Sequence, residues 1–191
     1  MNETIIANAT TGDTQAFRQI VETHQDMVVR TCYAFVHNDN DAQDIAQEVF
    51  VNVYLSLKNF KGQSSLSTWI YRIAVNASLK HIRDNRKHSI LHRLDAIFDF
   101  TKAREPIHLP HDPTNPELIL TDQQRADAVH SAIDALAENQ RTAFVLTQYD
   151  ELSYQQVADI MNISTSAVDS LIHRAKSNLQ KKLKDFYKKH R

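Results

Sequence analysis

Ten histidines, one cysteine and many carboxylates offer the raw material for metal or acid-base chemistry, but their spacing does not assemble it. His88 and His92 stand four apart and His108 and His111 three apart, yet there is no HExxH motif and no carboxylate-histidine cluster beside them. Cys32 is alone, so it forms neither an internal disulfide nor a cysteine-based zinc site. The loop from Asp39 to Asp44 lacks the glycine a calcium loop needs. No catalytic residue, metal or cofactor is expected. The residues whose types and spacing do suggest chemistry are those that bind polyanions. Arg72, Asn76, Lys80 and Arg83 recur at three- and four-residue spacing, directly after a stretch that holds Phe60, Lys61, Trp69 and Tyr71. Cations follow phosphates and flat rings stack on unpaired bases, at about 1–3 kcal/mol per base. A metal-dependent hydrolase is the weakest of the readings open to this chain.

Charge is arranged in blocks. The net formal charge of −1 divides into −6 over residues 1–57, +7 over 58–93, −9 over 94–170 and +7 over 171–191. Two basic blocks imply two polyanion contacts, and the acidic stretches suit a basic protein partner. With 2 glycines and 4 prolines in 191 residues, tight turns are too few for a sheet-rich fold. No apolar run nears the roughly 18 residues of a membrane span, and no leader is evident. An all-α, soluble, cytoplasmic protein is expected, with no membrane insertion.

The four prolines, at 106, 110, 113 and 116, exclude a helix there. They place a linker over 91–120 between two small helical domains, 1–90 and 121–191. Its apolar residues Ile90, Leu91, Leu94, Ile97, Phe98 and Phe100 suit a short docking helix. In the first domain, Asp13 caps a helix carrying an apolar stripe from Phe17 to Phe35. Asp39, Asp41 and Asp44 favour the start of a second helix reaching about Leu57. After a loop with Gly62, Ser67 or Thr68 starts a third, from Trp69 to about Asn85. On the second helix Asp44, Gln47, Glu48 and Val51 share a face, separate from Ile45, Val49 and Val53.

The second domain reads as helices over about 122–137, 139–149, 154–161 and 165–186, with capping boxes at Thr121/Gln124 and Ser153/Gln156. Ala158 allows a close crossing, Asn162 tolerates a left-handed turn, and Ser164 caps the last helix. That is a helix-turn-helix, leaving Thr165, Ser166, Asp169, Ser170, His173, Arg174 and Lys176 exposed. Leu171 packs inward. The basic tail from Lys181 to Arg191 suits phosphates.

The stretch from Ala135 to Leu183 resembles region four of the bacterial sigma-70 family of RNA polymerase sigma factors, in its extracytoplasmic-function (ECF) group. Gln140-Arg141, Leu152-Ser153-Tyr154, Ala158 and His173-Arg174-Ala175 carry the resemblance. The sequence departs at Ala137, where proline is usual, and at Asp169 and Leu171, where lysine and arginine are common. Residues 41–87 are similar to region two of the same group, and the whole resemblance covers about 14–87 and 121–187. The resemblance implies that Asp44, Gln47, Glu48 and Phe50 dock on core polymerase. Phe60, Lys61, Trp69, Arg72, Asn76, Lys80 and Arg83 would meet the melted minus-10 element, with Asn76 facing a pocket for a flipped base. Arg141, Tyr154, Thr165, Ser166, Asp169, Ser170, His173, Arg174 and Lys176 would meet the minus-35 duplex. Implied partners are the clamp and flap regions of core RNA polymerase, promoter DNA as duplex and as melted strand, and an anti-sigma factor, commonly membrane-bound. The alternative is a stand-alone helix-turn-helix regulator, which binds duplex operators without polymerase and leaves the acidic helix and aromatic-basic segment without a role.

Overall fold

The computed structural model describes residues 3–98 and 122–189, and every regular element among them is helical. The prolines of the linker, Thr121, His92, His108, His111 and Phe100 lie outside the described residues or have side chains outside them. Eight α-helices follow in order: α1 (Glu3–Thr10), α2 (Thr14–Val36), α3 (Asp39–Ser56), α4 (Leu66–Phe98), α5 (Asp122–Asp134), α6 (Glu138–Gln148), α7 (Tyr154–Met161) and α8 (Thr165–Lys189).

Caps set most of the boundaries. Asp13 accepts the backbone N–H groups of Gln15 and Ala16 at 2.8 and 3.2 Å, opening α2. His37 ends that helix in the left-handed region (φ 54), and Asn38 opens α3 by accepting from the Asp41 N–H. Helix α4 starts earlier than Ser67, because Ser65 Oγ accepts the Thr68 N–H at 3.0 Å. It also runs beyond Asn85, through the first part of the expected linker, to Phe98. No proline or glycine falls in 63–105, so nothing in the chain interrupts the ladder. Helix α1 was not anticipated. Its residues Ile5 and Ile6 pack on the first core and Ala9 is buried within it.

The first core gathers Ile20, Val28 and Cys32 of α2, Ile45, Val49 and Val53 of α3, and Ile70 and Ala74 of α4. Burial raises the Cys32 thiol to about 11, with Ser78 opposing, so it is an inert core thiol. A second core holds the crossing of α6, α7 and α8 through Val145, Leu146, Val157, Val168 and Ile172, and it also takes in Phe35, Tyr71 and Val75 from the first domain. A third, smaller cluster joins Ile133 and Leu136 to Ala175 and Leu179. The two domains are therefore packed together through a shared apolar layer.

At the edge of that layer His37 stacks on His130, centroids 4.0 Å apart and planes 6° from parallel. His37 Nε2 lies 3.8 Å from Asp134 Oδ1, too far for a hydrogen bond, and has no hydrogen-bond partner among the described residues. Burial, then His130 and Arg141, push the His37 imidazole below its ordinary value, with Asp134 opposing. A histidine depressed in this way binds fewer protons folded than unfolded, so its contribution to stability rises with pH. The melting temperature should therefore fall as pH drops through the ordinary histidine range near 6.5 and on toward the lower folded value. His37→Asn keeps a residue that tolerates the left-handed cap, and should flatten this dependence in thermal scans between about pH 7.5 and 5.5. Parallel curves for both proteins would refute the assignment.

Candidate nucleic-acid and protein interfaces

Three surfaces carry the residues singled out in the sequence. On α3, Asp44, Gln47 and Glu48 are exposed on one face. Sequence reasoning named Val51 there but overlooked its neighbours: Val51, Tyr54 and Leu55 are 57%, 50% and 63% exposed, an apolar stripe beside the acidic face. The signal was present in the spacing, since 51, 54 and 55 fall on one side of a helix. Phe50 instead turns partly inward, against the first core.

The second surface is the loop before α4 and the first turns of that helix. Phe60 and Trp69 face one another at 5.2 Å, tilted by 46°, and both lean on the first core. Phe60 also lines a cleft of about 520 Å³ with Gly62, Ser64, Ser65 and Ser67, to which Ile6 and Thr10 of α1 contribute. Gly62 takes φ +66 at the loop tip, where a side chain would strain the backbone. Asn76 is not in this cleft. It lines a separate one of about 500 Å³ with Gln63, Arg72, Leu79, Asn139, Thr142 and Ile160. Tyr71, expected among the stacking rings, is only 7% exposed and belongs to the shared core.

The basic stripe of α4 is largely engaged. Arg72 donates from Nε to Ile160 O at 3.2 Å and from Nη2 to Asp159 O at 2.5 Å. These carbonyls belong to the last turn of α7, where helix groups lack internal partners and the dipole favours a cation. Arg86 does the same at the end of α5, donating to Asp134 O at 2.7 Å. Arg83 Nη1 lies 3.8 Å from Glu138, and Lys80 Nζ 3.3 Å from Glu48 on α3. Lys61 is exposed.

The third surface is the helix-turn-helix. Ser153 and Gln156 close a capping box on α7, and Asn162 ends it in the left-handed region (φ 54, ψ 48). Ser164 Oγ accepts the Ala167 N–H at 3.2 Å, opening α8. Glu151 also takes a positive φ (55) in the turn before α7, a conformation that suits glycine better. Thr165, Ser166, Asp169, Ser170, His173, Arg174 and Lys176 are all exposed, while Val168, Ile172 and Ala175 point inward. Leu171 is half-buried against the second core. Tyr154 is 38% exposed at the start of α7. Arg141 is placed differently from the expectation. It is 2% exposed and points into its own domain, donating to Ile133 O and Asp134 O. Burial lowers the pKa of this guanidinium, with Asp134 opposing. Among the described residues no group of histidine, cysteine and carboxylate side chains could hold a metal ion. Nor is any helix there long and apolar enough to cross a membrane.

A helix-turn-helix with an exposed polar reading face, joined to a helical domain carrying an aromatic cleft and a cationic stripe, defines a DNA-binding transcription protein. The chain matches the family models Sigma-70 region 2 over residues 20–88 and Sigma-70, region 4 over 126–179. It is 32% identical to the RNA polymerase sigma-H factor of Pseudomonas aeruginosa over 184 residues, 95% of this chain and 93% of that one. It is 33% identical to the ECF RNA polymerase sigma factor SigW of Bacillus subtilis, over 91% of this chain and 92% of that one. For the ECF RNA polymerase sigma-E factor of Escherichia coli K12 the figures are 30%, 95% and 94%. The fold is like that of CnrH in complex with the cytosolic domain of CnrY (TM-score 0.63, 23% identity, 95% and 96% covered). It is also like that of the sigma factor RpoE in complex with the anti-sigma factor NepR from Bartonella quintana (TM-score 0.60, 20% identity, 90% and 98% covered). The chain belongs to the ECF group of the sigma-70 family and is an RNA polymerase sigma factor.

Proposed function

We propose that this sigma factor binds core polymerase through α3 and reads promoters with two separate surfaces. Asp44 and Glu48 supply charge complementary to a basic clamp helix, Gln47 between them offers a neutral hydrogen-bonding amide, and Val51, Tyr54 and Leu55 supply the apolar contact that buries on docking. Lys61, Arg72, Asn76, Lys80 and Arg83 follow the backbone of the melted minus-10 strand. The Phe60 cleft accepts an unstacked base, with Trp69 bracing the Phe60 ring. The exposed face of α8, from Thr165 to Lys176, enters the minus-35 major groove, with Tyr154 at its edge. Asp169 there either accepts from a cytosine amino group or favours the helix dipole. The flap region would hold the second domain, and the protein acts in the cytoplasm as an initiation factor with no chemistry of its own. An anti-sigma factor is a further partner in this reading.

The observation that carries it is the division of labour between domains. One exposes a reading helix for duplex DNA, and the other an aromatic cleft with cations on the next helix. Each surface alone binds weakly, and tethering both to polymerase raises their effective concentration. In vitro transcription from fragmented genomic DNA with core polymerase tests it. Initiation at discrete sites should require this protein. Absence of both initiation and co-purification with polymerase would sink the reading, and tight operator binding without polymerase would favour the stand-alone regulator.

A further inference from the structure

The Phe60 cleft is rich in hydroxyls: Thr10 of α1, Ser64 and Ser65 of the loop, and Ser67 in the first turn of α4. What such a cleft selects depends on which hydroxyls still have a hydrogen to give. Thr10 Oγ1 donates to Ala7 O at 2.6 Å. Ser64 Oγ donates to Ser65 O at 3.3 Å. Ser65 Oγ accepts the Thr68 N–H at 3.0 Å and shares a second hydrogen bond, at 2.8 Å, with Thr68 Oγ1. The hydrogens of this lining are turned back into the chain, and the oxygens keep lone pairs for an occupant.

Ser67 is the most firmly set of them, because its partner is a buried side chain. His24 of α2 is 4% exposed. Its Nδ1 lies 2.9 Å from Ile20 O, which can only accept, so Nδ1 carries a hydrogen. In the neutral ring Nε2 is then an acceptor, and it lies 3.2 Å from Ser67 Oγ. Ser67 therefore donates to His24. A backbone carbonyl fixes the tautomer of the ring, and the ring fixes the direction of the hydroxyl.

We infer that Ser67, oriented by His24, makes the cleft selective for a base that brings an exocyclic amino group: adenine or cytosine over guanine or thymine. The N6 amino group of adenine or the N4 amino group of cytosine meets the Ser67 lone pairs with a donor. The O6 of guanine or the O4 of thymine, at the same place on the ring, would set an acceptor against an acceptor. Stacking on Phe60 holds any base, because every base has a π-face, so discrimination falls to the hydroxyls. Ser67 is the specificity-determining residue and His24 a positioning residue. The inference rests on the assignment of this cleft to an unstacked base of the minus-10 element.

A promoter found by the genomic assay, with its minus-10 element randomised, is transcribed by the holoenzyme and the used templates are sequenced. At one position amino bases should outnumber keto bases by about tenfold, the effect of one hydrogen bond made or refused in a desolvated site. Ser67→Ala should bring that ratio to within about twofold and leave the preferences at other positions in place. His24→Leu frees the Ser67 hydrogen, so use of the keto bases at that position should rise; a merely structural loss would lower use of all four bases together. A further measurement needs no variant. In a forked template, purine in place of adenine, or pyrimidinone in place of cytosine, lacks only the amino group and should weaken binding of the parent holoenzyme by about tenfold. A keto preference at the position that depends on Ser67, an unchanged ratio in Ser67→Ala, or full binding of the analogue would overturn the inference. A parent with no base preference anywhere in the element would overturn the cleft assignment itself, whereas a preference that survives Ser67→Ala overturns the role of Ser67 alone.

Discussion

Glu48→Arg is expected to weaken binding to core polymerase by on the order of 100-fold or more while leaving the melting temperature within about a degree of the parent. Glu48 sits in the exposed acidic face of α3, flanked by Asp44 one turn earlier and by Val51 and Leu55 after it. Reversing a charge opposite a basic helix replaces attraction with like-charge repulsion, and the apolar stripe then cannot close without burying that mismatch. The cost to folding is small. Its pair with Lys80 has side chains 50% and 62% exposed, and such pairs contribute about 0–1 kcal/mol. Glu22→Arg, at another exposed carboxylate, is a charge-matched control that should bind normally. Unchanged affinity of Glu48→Arg in a pull-down or anisotropy titration would remove the docking role from this face.

Arg141→Ala should cost about 3 kcal/mol of stability and leave duplex DNA binding intact at temperatures well below melting. The guanidinium is buried and serves the final carbonyls of α5, Ile133 O and Asp134 O. Its removal leaves those acceptors with fewer donors in a region already short of them, next to the Ile133, Leu136 and Leu179 cluster. Thermal or urea unfolding measures the loss. The salt dependence of duplex binding separates this from a phosphate contact. Deleting a contact to phosphate would lower the slope of log K against log salt by about one. An unchanged slope with a lower midpoint identifies Arg141 as a brace; a lower slope with an unchanged midpoint would restore it to the DNA face.

The sequence by itself determined the helical class, most helix starts and the helix-turn-helix with its inward and outward positions. These depend on local quantities: the spacing of Val157, Ile160, Val168 and Ile172, the caps at Asp13, Ser153 and Ser164, and the tolerance of Asn162 for a left-handed turn. It also placed the acidic face of α3, because a surface helix advertises its polar side by periodicity alone. The end of α4 was misjudged because the expected stop, a charged and polar run, carries no proline or glycine to enforce it. Tertiary structure alone decided the fates of Arg72, Tyr71, Arg141 and Asp150. Arginine and aspartate look the same in a sequence whether they face water or cap a distant helix. Their partners, Ile160 O, Asp134 O, Arg30 and Thr31, include backbone carbonyls that carry no side-chain signal and residues up to 120 positions away. Periodicity identifies the face a helix buries; what covers that face is set by the packing of the whole chain.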